Sequence, residues 1–493
     1  MITDMKQQRF DLIVAGSGAA GLSAAVTAAE SGARVAILER APKDERGGNT
    51  RYTESFWRMQ SKDEVADDFT QRLAENAGGW LDPEVTKDWT REQSGWPAIL
   101  KAHPALGPDL IQTWGEQAGP TLRWLESQGV KFDFLPNYFI TVSTTRISPI
   151  GGGRAIVEAL AARAEEFEDR VSYIYETAAE RLIQDETGRI QGIIAKGPSG
   201  YISLEAPSVI LATGGFQGNA EMMARYCGPA AQWTRPIARG GYYNRGEGVT
   251  MGLQAGAAPA GDFGSFHAQP VDPRSGEAEP VVLTYSYGIL LNREGKRFTN
   301  EAPATVDATY EATSRDILKQ SQGMAWAIVD GQIDDVPNWR KAVRSDQPEI
   351  IADTLDGLLA KLDIDATEAR RTISSFNNAC PDPSGFDPIK TDGLAVTKLS
   401  PPKTHWSRKL QKPPFRAWPI VCATCFTFGG LKIDSSARVI DHDGHPIPGL
   451  YAAGETAGMY FRTYTGSTSV MRGCVFGRIA GAHAARAANQ GAA

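Results

Sequence analysis

The sequence predicts an α/β protein organised around a parallel β-sheet, and three observations near the N-terminus support this. Leu12–Ala15 is a short apolar run typical of a buried parallel strand. The glycine-rich turn GSGAAG follows it, then an alanine-rich helix, then a second apolar run, Arg34–Leu38. Strand, glycine turn, helix and strand in this order form the βαβ unit of a Rossmann-like fold.

The glycine turn has the spacing that a dinucleotide requires. Gly16 makes the tight turn, Gly18 lets the backbone approach a diphosphate, and Gly21 lets the helix pack on the strand. The positive end of the helix then faces the phosphates. Glu39 lies roughly 20 residues further on, where an acidic residue accepts the hydroxyls of a ribose. The stretch therefore predicts a bound dinucleotide.

Length, charge and cysteine content narrow the class of protein. A chain of 493 residues is too long for one small core. Its net charge of −7 gives no sign of a nucleic-acid surface, and an odd number of cysteines, five, does not suggest a disulfide framework. Because no apolar run is long enough to span a bilayer, we expect a cytoplasmic protein without membrane insertion.

Two further glycine-containing turns are expected to meet the cofactor. RGGNTRYT, residues 46–53, follows the second strand, and SVILATGGF, residues 208–216, contains another buried strand. Glycine lets a ligand come close to the backbone at such turns. The alternative for the first loop is a polar turn without a ligand. Residues 61–135 carry helical patterns and are expected to cover one side of the nucleotide domain.

Seven motifs lie along the chain: GSGAAG, RGGNT, ATGGF, NRGEGVTMGLQAGA (244–257), GILLNREGKRFTNE (288–301), FTFGGLKID (426–434) and GLYAAGE (449–455). In this order they resemble the flavoprotein family of fumarate reductase and succinate dehydrogenase flavoprotein subunits. Tricarballylate dehydrogenase and 3-ketosteroid dehydrogenase belong to the same group. The motifs are specific for fold and FAD and only loosely specific for substrate.

The resemblance implies a Rossmann-like FAD-binding domain in two segments with an α+β capping domain inserted between them. We expect the FAD-binding segments at 1–262 and 425–493 and the capping domain at 263–424. Some membrane-bound members of the family attach FAD covalently through a histidine, where this chain has Asn49-Thr50. The FAD is therefore expected to be non-covalent.

The resemblance also assigns residues to the cofactor. Glu455 would hold the ribityl chain, and a helix starting near Ser469 would point its positive end at the flavin pyrimidine edge, where reduced flavin carries negative charge. The complete expected set is Gly16, Ser17, Gly18, Ala19, Ala20, Glu39, Arg40, Gly48, Asn49, Thr50, Ala179, Thr213, Gly214, Glu247, Glu455, Ser469 and Val470.

The chain departs from the fumarate reductases at their reactive centre. Thr305 stands at the position of their active-site arginine, and Thr284 and Val281 replace the arginine and glutamate that relay its proton. Phe426 and Tyr464 replace a histidine and the arginine that clamps a substrate carboxylate. Because both the proton path and the clamp are missing, we reject fumarate reduction. Thr305 is retained by position as a candidate catalytic residue.

Three other residues are candidates for chemistry. In 3-ketosteroid dehydrogenases a tyrosine at the position of Tyr464 donates to the substrate carbonyl, whereas their tyrosine base, expected near Ala304 or Thr305, is missing here. Arg462 is a candidate carboxylate clamp, and a surface arginine is the alternative. His267 lies where the family has a substrate-binding histidine, and histidine is the readiest acid or base near neutral pH. A structural histidine is the alternative.

These residues predict an FAD-dependent dehydrogenase, or desaturase, that removes two hydrogens across a C–C bond next to a carboxylate or ketone. The FTFGG and RGGNTRYT segments resemble those of tricarballylate dehydrogenases, and this resemblance favours a small carboxylate of the tricarballylate type. Alternatives are a cyclic-ketone desaturase, of the 3-ketosteroid or oxocyclohexanecarboxylate type, and an ene-reductase running in reverse. A non-enzymatic FAD-binding protein is disfavoured because no basic patch is present.

The pattern of cysteines and histidines predicts neither a second redox centre nor a metal site. No haem-attachment or iron–sulfur motif is present, so electrons are expected to pass to a separate membrane or soluble carrier, or to oxygen. The histidines lack metal-site spacing. The pair Cys422 and Cys425 could form a redox dithiol, but buried packing is the favoured interpretation.

Overall fold

A computed structural model describes residues 7–134 and 146–491; residues 1–6, 135–145 and 492–493 of the predicted domains lie outside these described residues. Its strands are β1 (Gln7–Arg9), β2 (Leu12–Ala15), β3 (Val35–Leu38), β4 (Phe132–Phe134), β5 (Ile147–Pro149), β6 (Val171–Ile174), β7 (Ala178–Gln184), β8 (Ile190–Gly197), β9 (Gly200–Glu205), β10 (Val209–Leu211), β11 (Arg235–Pro236), β12 (Pro259–Ala260), β13 (Phe266–Val271), β14 (Ile289–Leu291), β15 (Met324–Val329), β16 (Ile350–Ala352), β17 (Phe415–Thr427), β18 (Gly430–Leu431), β19 (Arg438–Ile440) and β20 (Pro446–Ala452).

The α-helices are α1 (Ala19–Glu30), α2 (Phe69–Glu75), α3 (Pro83–Thr86), α4 (Ala98–Lys101), α5 (Pro108–Ser127), α6 (Gly152–Glu165), α7 (Ala220–Cys227), α8 (Glu247–Gln254), α9 (Val306–Leu318), α10 (Leu355–Leu359), α11 (Ala366–Ala379) and α12 (Ser469–Gly491). In the described part of the chain, no helix combines the length and apolar character that a bilayer crossing requires.

The central sheet has the strand order β19-β20-β10-β2-β3-β6. All of its pairings are parallel except that of β19 with β20. β2 and β3 are buried along their whole length, as expected for strands covered on both faces. The predicted α/β class with a Rossmann-like unit is confirmed.

The long C-terminal helix α12 packs closely on α1 through glycines. A Cβ atom added at Gly477 would lie 2.3 Å from the carbonyl oxygen of Ala20, and one at Gly481 would lie 2.2 Å from that of Ala24. Such contacts leave no room for a side chain. Glycines at these positions therefore allow the backbones of α1 and α12, which border the nucleotide site, to pack in direct contact.

Substitution of Gly481 by valine is therefore expected to destabilise the protein. Overpacking at a tight contact costs roughly 1–3 kcal/mol or more, because backbone rather than a flexible side chain must move. Thermal and urea unfolding of Gly481→Val would measure the loss. Ala487→Val, on the exposed side of the same helix, is the matched control. Equal stability of the two variants would contradict this packing argument.

The cap-side sheet is built on the thirteen-residue strand β17. β17 pairs with β13, β15 and β16 antiparallel and with β11 parallel, and β14 pairs with β15. Alternate residues of β15 belong to two different apolar clusters, one on each face of this sheet. The predicted limit at 424/425 falls inside β17, and the limits of the capping domain stay a prediction.

Candidate functional site

A cavity of about 1000 Å³ opens where the strands of the central sheet end. Gly16 and Glu39 follow the carboxyl ends of β2 and β3, and Thr213 follows that of β10. Ligands bind at this edge in open α/β sheets. Every residue of the predicted cofactor set lines this one cavity.

The glycine turn has the shape of a phosphate cradle. Added Cβ atoms at Gly16 and Gly21 would lie 2.3 Å and 1.9 Å from backbone carbonyl oxygens. A Cβ at Gly18 would lie at least 3.6 Å from every protein atom beyond its chain neighbours, so the space beside this residue is open. Gly18 is also the N-cap residue of α1 and has no side chain of its own to cap that helix end. The first helical amide, that of Ala19, donates to the Thr50 hydroxyl, and the N-terminus of α1 faces the cavity, where it can bind an anion.

Glu39 is buried at the end of β3. Its Oε1 accepts a hydrogen bond from the amide of Ala41 (2.7 Å), and its Oε2 accepts from the amide and hydroxyl of Ser17. These donors orient the carboxylate beside the cradle. An ionised carboxylate has about four acceptor sites, so it retains capacity for ribose hydroxyls. The next residue, Arg40, forms an ion pair with Glu247 on the cavity wall.

The loop after β3 connects the cradle to the cap-side sheet. The hydroxyl of Thr50 accepts a hydrogen bond from the amide of Ala19 (3.2 Å), and the Asn49 side chain donates to the carbonyl of Cys425 (2.6 Å). This tight turn starts at Gly48, whose φ of +54° lies in the left-handed region. The cavity wall is therefore continuous from the nucleotide end to β17.

Glu455 lies in the cavity wall, and donors on neighbouring residues bind both of its carboxylate oxygens. Its Oε1 accepts from the amide of Thr427 (2.7 Å), and its Oε2 accepts from the side chains of Asn244 (3.1 Å) and Gln217 (3.3 Å). Burial raises the pKa of Glu455 above its usual value, and these donors oppose that rise.

Tyr464 caps the N-terminus of α12. Its hydroxyl accepts hydrogen bonds from the amides of Thr468 (2.8 Å) and Ser469 (3.0 Å) and donates to the Ser469 hydroxyl (3.2 Å). The single hydrogen of this phenol is therefore already directed at a neighbour. Tyr464 lines the cavity but holds the end of a helix.

His267, Glu311 and Tyr310 form a hydrogen-bonded chain on the cap side of the cavity. His267 Nδ1 lies 2.6 Å from Glu311 Oε2, and His267 Nε2 lies 3.3 Å from the Tyr310 hydroxyl. Arg315 binds Glu311 Oε1 at 2.7 Å and the carbonyl of Phe266 at 2.7 Å, which fixes the carboxylate. Burial raises the pKa of Tyr310 well above its usual value, so its phenol is neutral at physiological pH. The chain has the order carboxylate, imidazole, hydroxyl that serves proton transfer in enzymes.

A sequence model of the family described as an FAD binding domain matches residues 11–470. The chain belongs to this FAD-binding family. The glycine cradle, the open end of α1 and the buried carboxylate of Glu39 fit the diphosphate and ribose of FAD.

The relatives of this flavoprotein include proteins named as reductases and a protein named as a dehydrogenase. It is 28% identical to the NADH:acrylate oxidoreductase of Vibrio harveyi (96% of this chain, 50% of that protein). It is 26% identical to the vinyl phenol reductase of Lactiplantibacillus plantarum (99% of both chains). It is 25% identical to the 4-oxocyclohexanecarboxylate 2-dehydrogenase of Sinomonas cyclohexanicum (94% and 90%). The chain thus spans half of the first relative and nearly all of the second.

The fold also matches a solved structure, the open conformation of a flavocytochrome c3 fumarate reductase. The TM-score is 0.73 at 24% identity, over 98% of this chain and 79% of that one. At this identity the likeness shows the fold alone. Together with the relatives, the family match identifies an FAD-dependent oxidoreductase that acts on CH–CH or C=C bonds.

Two of the four predicted catalytic residues do not line the cavity of this flavoprotein. Arg462 is exposed and has a left-handed φ of +53°. Thr305 is buried as the N-cap residue of α9. His267 and Tyr464 do line the cavity, and their side chains approach each other with ring centroids 4.5 Å apart.

The sequence reasoning missed the residues of α9 that face the cavity. Asp307, Glu311 and Arg315 recur at intervals of four residues, which is the spacing of one helix face, and all three line the cavity with Tyr310. This periodicity was the available signal. The sequence alone gives no signal for Tyr310, because only the approach of β13 places His267 beside it.

A carboxyl group in the same wall predicts a pH-dependent stability. Glu279 is buried, and its Oε2 lies 3.6 Å from Arg344, which pairs more closely with Glu54 at 2.7 Å. Burial and the charge of Glu54 raise the pKa of Glu279 to about 7, and Arg344 opposes them. The folded state therefore favours the protonated form relative to the unfolded chain. Its stabilisation is complete below the unfolded pKa and is lost as the pH rises through about 7.

Thermal unfolding of the wild type and Glu279→Gln at pH 6 and pH 8 tests this. The wild type is expected to lose stability between the two values, and Glu279→Gln is expected to lose less, because its amide does not ionise. Glu277→Gln, at an exposed position, is the control and should follow the wild type. A parallel pH response in all three proteins would contradict the assignment.

Proposed function

We propose that this flavoprotein is an ene-reductase that reduces a C=C bond conjugated to an aromatic ring or a carbonyl group, with Tyr310 as the proton donor. The observation that carries the proposal is the chain Glu311–His267–Tyr310 in the cavity wall. When bound, FAD supplies the hydride to one alkene carbon. Tyr310 donates a proton to the neighbouring carbon, so two C–H bonds form as the π bond breaks and a C–C single bond remains.

The proposed direction rests on the relatives that are named as reductases and on the state of Tyr310. Burial keeps its phenol neutral, so it carries the proton that reduction of an alkene consumes. With Nδ1–H of His267 donated to Glu311, Nε2 is free to exchange a proton with the Tyr310 hydroxyl and to restore the donor after each turnover. Glu311 fixes the imidazole, and Arg315 fixes Glu311.

The aromatic character of the wall favours a conjugated, planar substrate. Phe426 packs edge-to-face on Tyr464 with centroids 5.0 Å apart and lies 5.3 Å from the His267 ring. The arginines Arg315 and Arg344 already pair with carboxylates. The tricarballylate-type prediction was drawn from the FTFGG and RGGNTRYT segments and had Arg462 as its candidate carboxylate clamp. Arg462 does not line this wall, so we propose a conjugated substrate instead. The vinyl phenol reductase relative, matched over nearly its full length, supports a substrate with an aryl group.

A second candidate is a cyclic-ketone desaturase that uses the same residues in reverse. The relative named 4-oxocyclohexanecarboxylate 2-dehydrogenase favours it. In this direction the substrate proton would pass through the Tyr310 hydroxyl to His267 Nε2, so the same chain of residues serves both directions. In either direction, electrons pass between the flavin and a separate carrier.

Steady-state assays of the holoenzyme separate the candidates. Reduced methyl viologen would supply electrons, and its oxidation would be followed with 4-vinylphenol, 4-hydroxycinnamate, acrylate and fumarate. The proposal expects the aryl alkenes to give the highest kcat/KM. Reduction of a dye by saturated 4-oxocyclohexanecarboxylate, without any alkene-dependent oxidation of viologen, would contradict it and establish the desaturase.

Substitution of Glu311 by glutamine tests the proton chain itself. The amide keeps the shape but loses the charge that stabilises a protonated His267, so turnover is expected to fall about ten- to a hundredfold. Asp307→Asn, one turn earlier on the same helix face, removes a charge that lies toward Arg146 and not His267. This control should change kcat less than threefold. If both variants lose activity equally, the effect is one of overall charge.

A further inference from the structure

Arg472 is a buried cation without a close anion. It lies in the first turn of α12, lines the cavity and is 2% exposed. Its Nη1 donates to the carbonyl of Ala457 at 3.3 Å, and its guanidinium lies 4.6 Å from the ring centroid of Tyr460. Within residues 7–134 and 146–491 it has no ion-pair partner within 4.0 Å, and its Nε has no hydrogen-bond partner.

Such a placement is costly in the protein alone. Removing a guanidinium from water without a counter-charge is strongly unfavourable. The carboxylate whose pKa responds to Arg472 is that of Glu455, but both of its oxygens are committed to donors on Thr427, Asn244 and Gln217. The positive charge of Arg472 therefore requires a negative charge that a bound ligand supplies.

The position identifies where that charge would lie. Ser469 and Val470 belong to the same helical turn and line the cavity, and both belong to the predicted FAD set. The N-terminus of a twenty-three-residue helix adds positive potential in the same direction. Other arginines in the wall, such as Arg58 and Arg344, are each neutralised by a carboxylate. Arg472 has no such partner.

We infer that Arg472, together with the N-terminus of α12, is the counter-charge for the negative charge of reduced flavin and sets the redox potential of the bound FAD. A fixed cation in a site with little water stabilises the reduced, anionic form more than the oxidised, neutral form. The residue acts on the flavin and not on the alkene. The inference therefore does not depend on which substrate or direction the enzyme uses.

The test compares Arg472→Met, Arg472→Lys and the wild type as holoenzymes. Methionine suits a buried site, because replacing a buried charge by an apolar side chain is often tolerated. Arg472→Met is expected to bind oxidised FAD within threefold of the wild type but to stabilise the reduced form about tenfold less, which corresponds to a midpoint potential about 30 mV lower for two electrons. Sulfite, which forms an anionic adduct with flavin, should bind about tenfold more weakly. Arg472→Lys, which keeps the charge, should remain within threefold of the wild type on both measures.

Arg486→Met is the control, because it removes an exposed arginine of the same helix that does not line the cavity, and it should leave the potential and the sulfite affinity unchanged. An Arg472→Met holoenzyme with wild-type potential and sulfite affinity would overturn the inference. If Arg472→Met does not fold, Arg472→Lys decides: a tenfold loss of sulfite affinity in that variant would overturn it. No substrate is present in these experiments, so failure of the ene-reductase proposal would leave them unaffected.

Discussion

Tyr310→Phe is expected to lower the rate of alkene reduction by about two to four orders of magnitude while FAD stays bound. The substitution removes only the hydroxyl, which lies 3.3 Å from His267 Nε2, and general acid catalysis contributes a rate factor of this size. The phenyl ring keeps the packing of the wall. KM should change little, since the proton is transferred in the transition state and not on binding.

Tyr242→Phe is the matched control, because Tyr242 is 53% exposed and does not line the cavity. It should retain wild-type kcat. The FAD content, read from the flavin absorbance, should be the same in both variants. If Tyr310→Phe keeps kcat within threefold of the wild type, another group donates the proton and the assignment of Tyr310 is wrong.

Gly18→Asp is expected to abolish FAD binding without unfolding the protein. Gly18 has an ordinary extended backbone, with φ −69° and ψ −178°, and its missing Cβ would meet protein atoms no closer than 3.6 Å. Aspartate is among the best N-cap residues, and Gly18 provides no side chain to cap α1. The apoprotein should therefore be as stable as the wild type, or more stable by about a few tenths of a kcal/mol. The carboxylate would occupy the anion site at the helix end and repel the diphosphate.

Gly18→Asn separates charge from shape. Asparagine caps a helix nearly as well but carries no charge, so we expect it to weaken FAD binding about tenfold and aspartate to weaken it at least about a hundredfold. Titration of the apoproteins with FAD, followed by flavin fluorescence, gives the dissociation constants. Thermal unfolding of the apoproteins shows that both variants are folded. Wild-type affinity of Gly18→Asp would place the diphosphate away from α1.

The nucleotide half of this site is readable from the sequence because its determinants are local. The spacing of Gly16, Gly18 and Gly21 fixes a strand, a turn and a helix within residues 12–30, and Glu39 follows the next strand. Every predicted cofactor position accordingly lines the same cavity. Their individual contacts with FAD stay a prediction.

The reactive half of the site is formed by residues that are distant in sequence and meet only in the folded protein. Sequence reasoning therefore identified only some of them. His267 and Glu311 are 44 residues apart and meet because α9 packs against β13. Tyr464 could be placed at a reactive position by resemblance, but its bonds to the amides of Thr468 and Ser469 depend on the exact start of α12. Arg462 has a guanidinium suited to binding a carboxylate, but it is exposed and does not line the cavity. Its left-handed backbone, with a φ of +53°, is not evident from the sequence.

A single-turnover experiment tests the central claim most directly. The holoenzyme would be reduced anaerobically with dithionite and mixed with 4-vinylphenol, and the return of the oxidised flavin absorbance would be followed in the wild type and in Tyr310→Phe. Reoxidation by molecular oxygen, which needs no proton donor for carbon, would be measured in parallel. We predict rapid reoxidation of the wild type by the alkene, reoxidation at least about a hundredfold slower in Tyr310→Phe, and equal rates with oxygen. Reduced wild-type enzyme that oxygen reoxidises but no conjugated alkene does, or a Tyr310→Phe variant as fast as the wild type, would contradict the account.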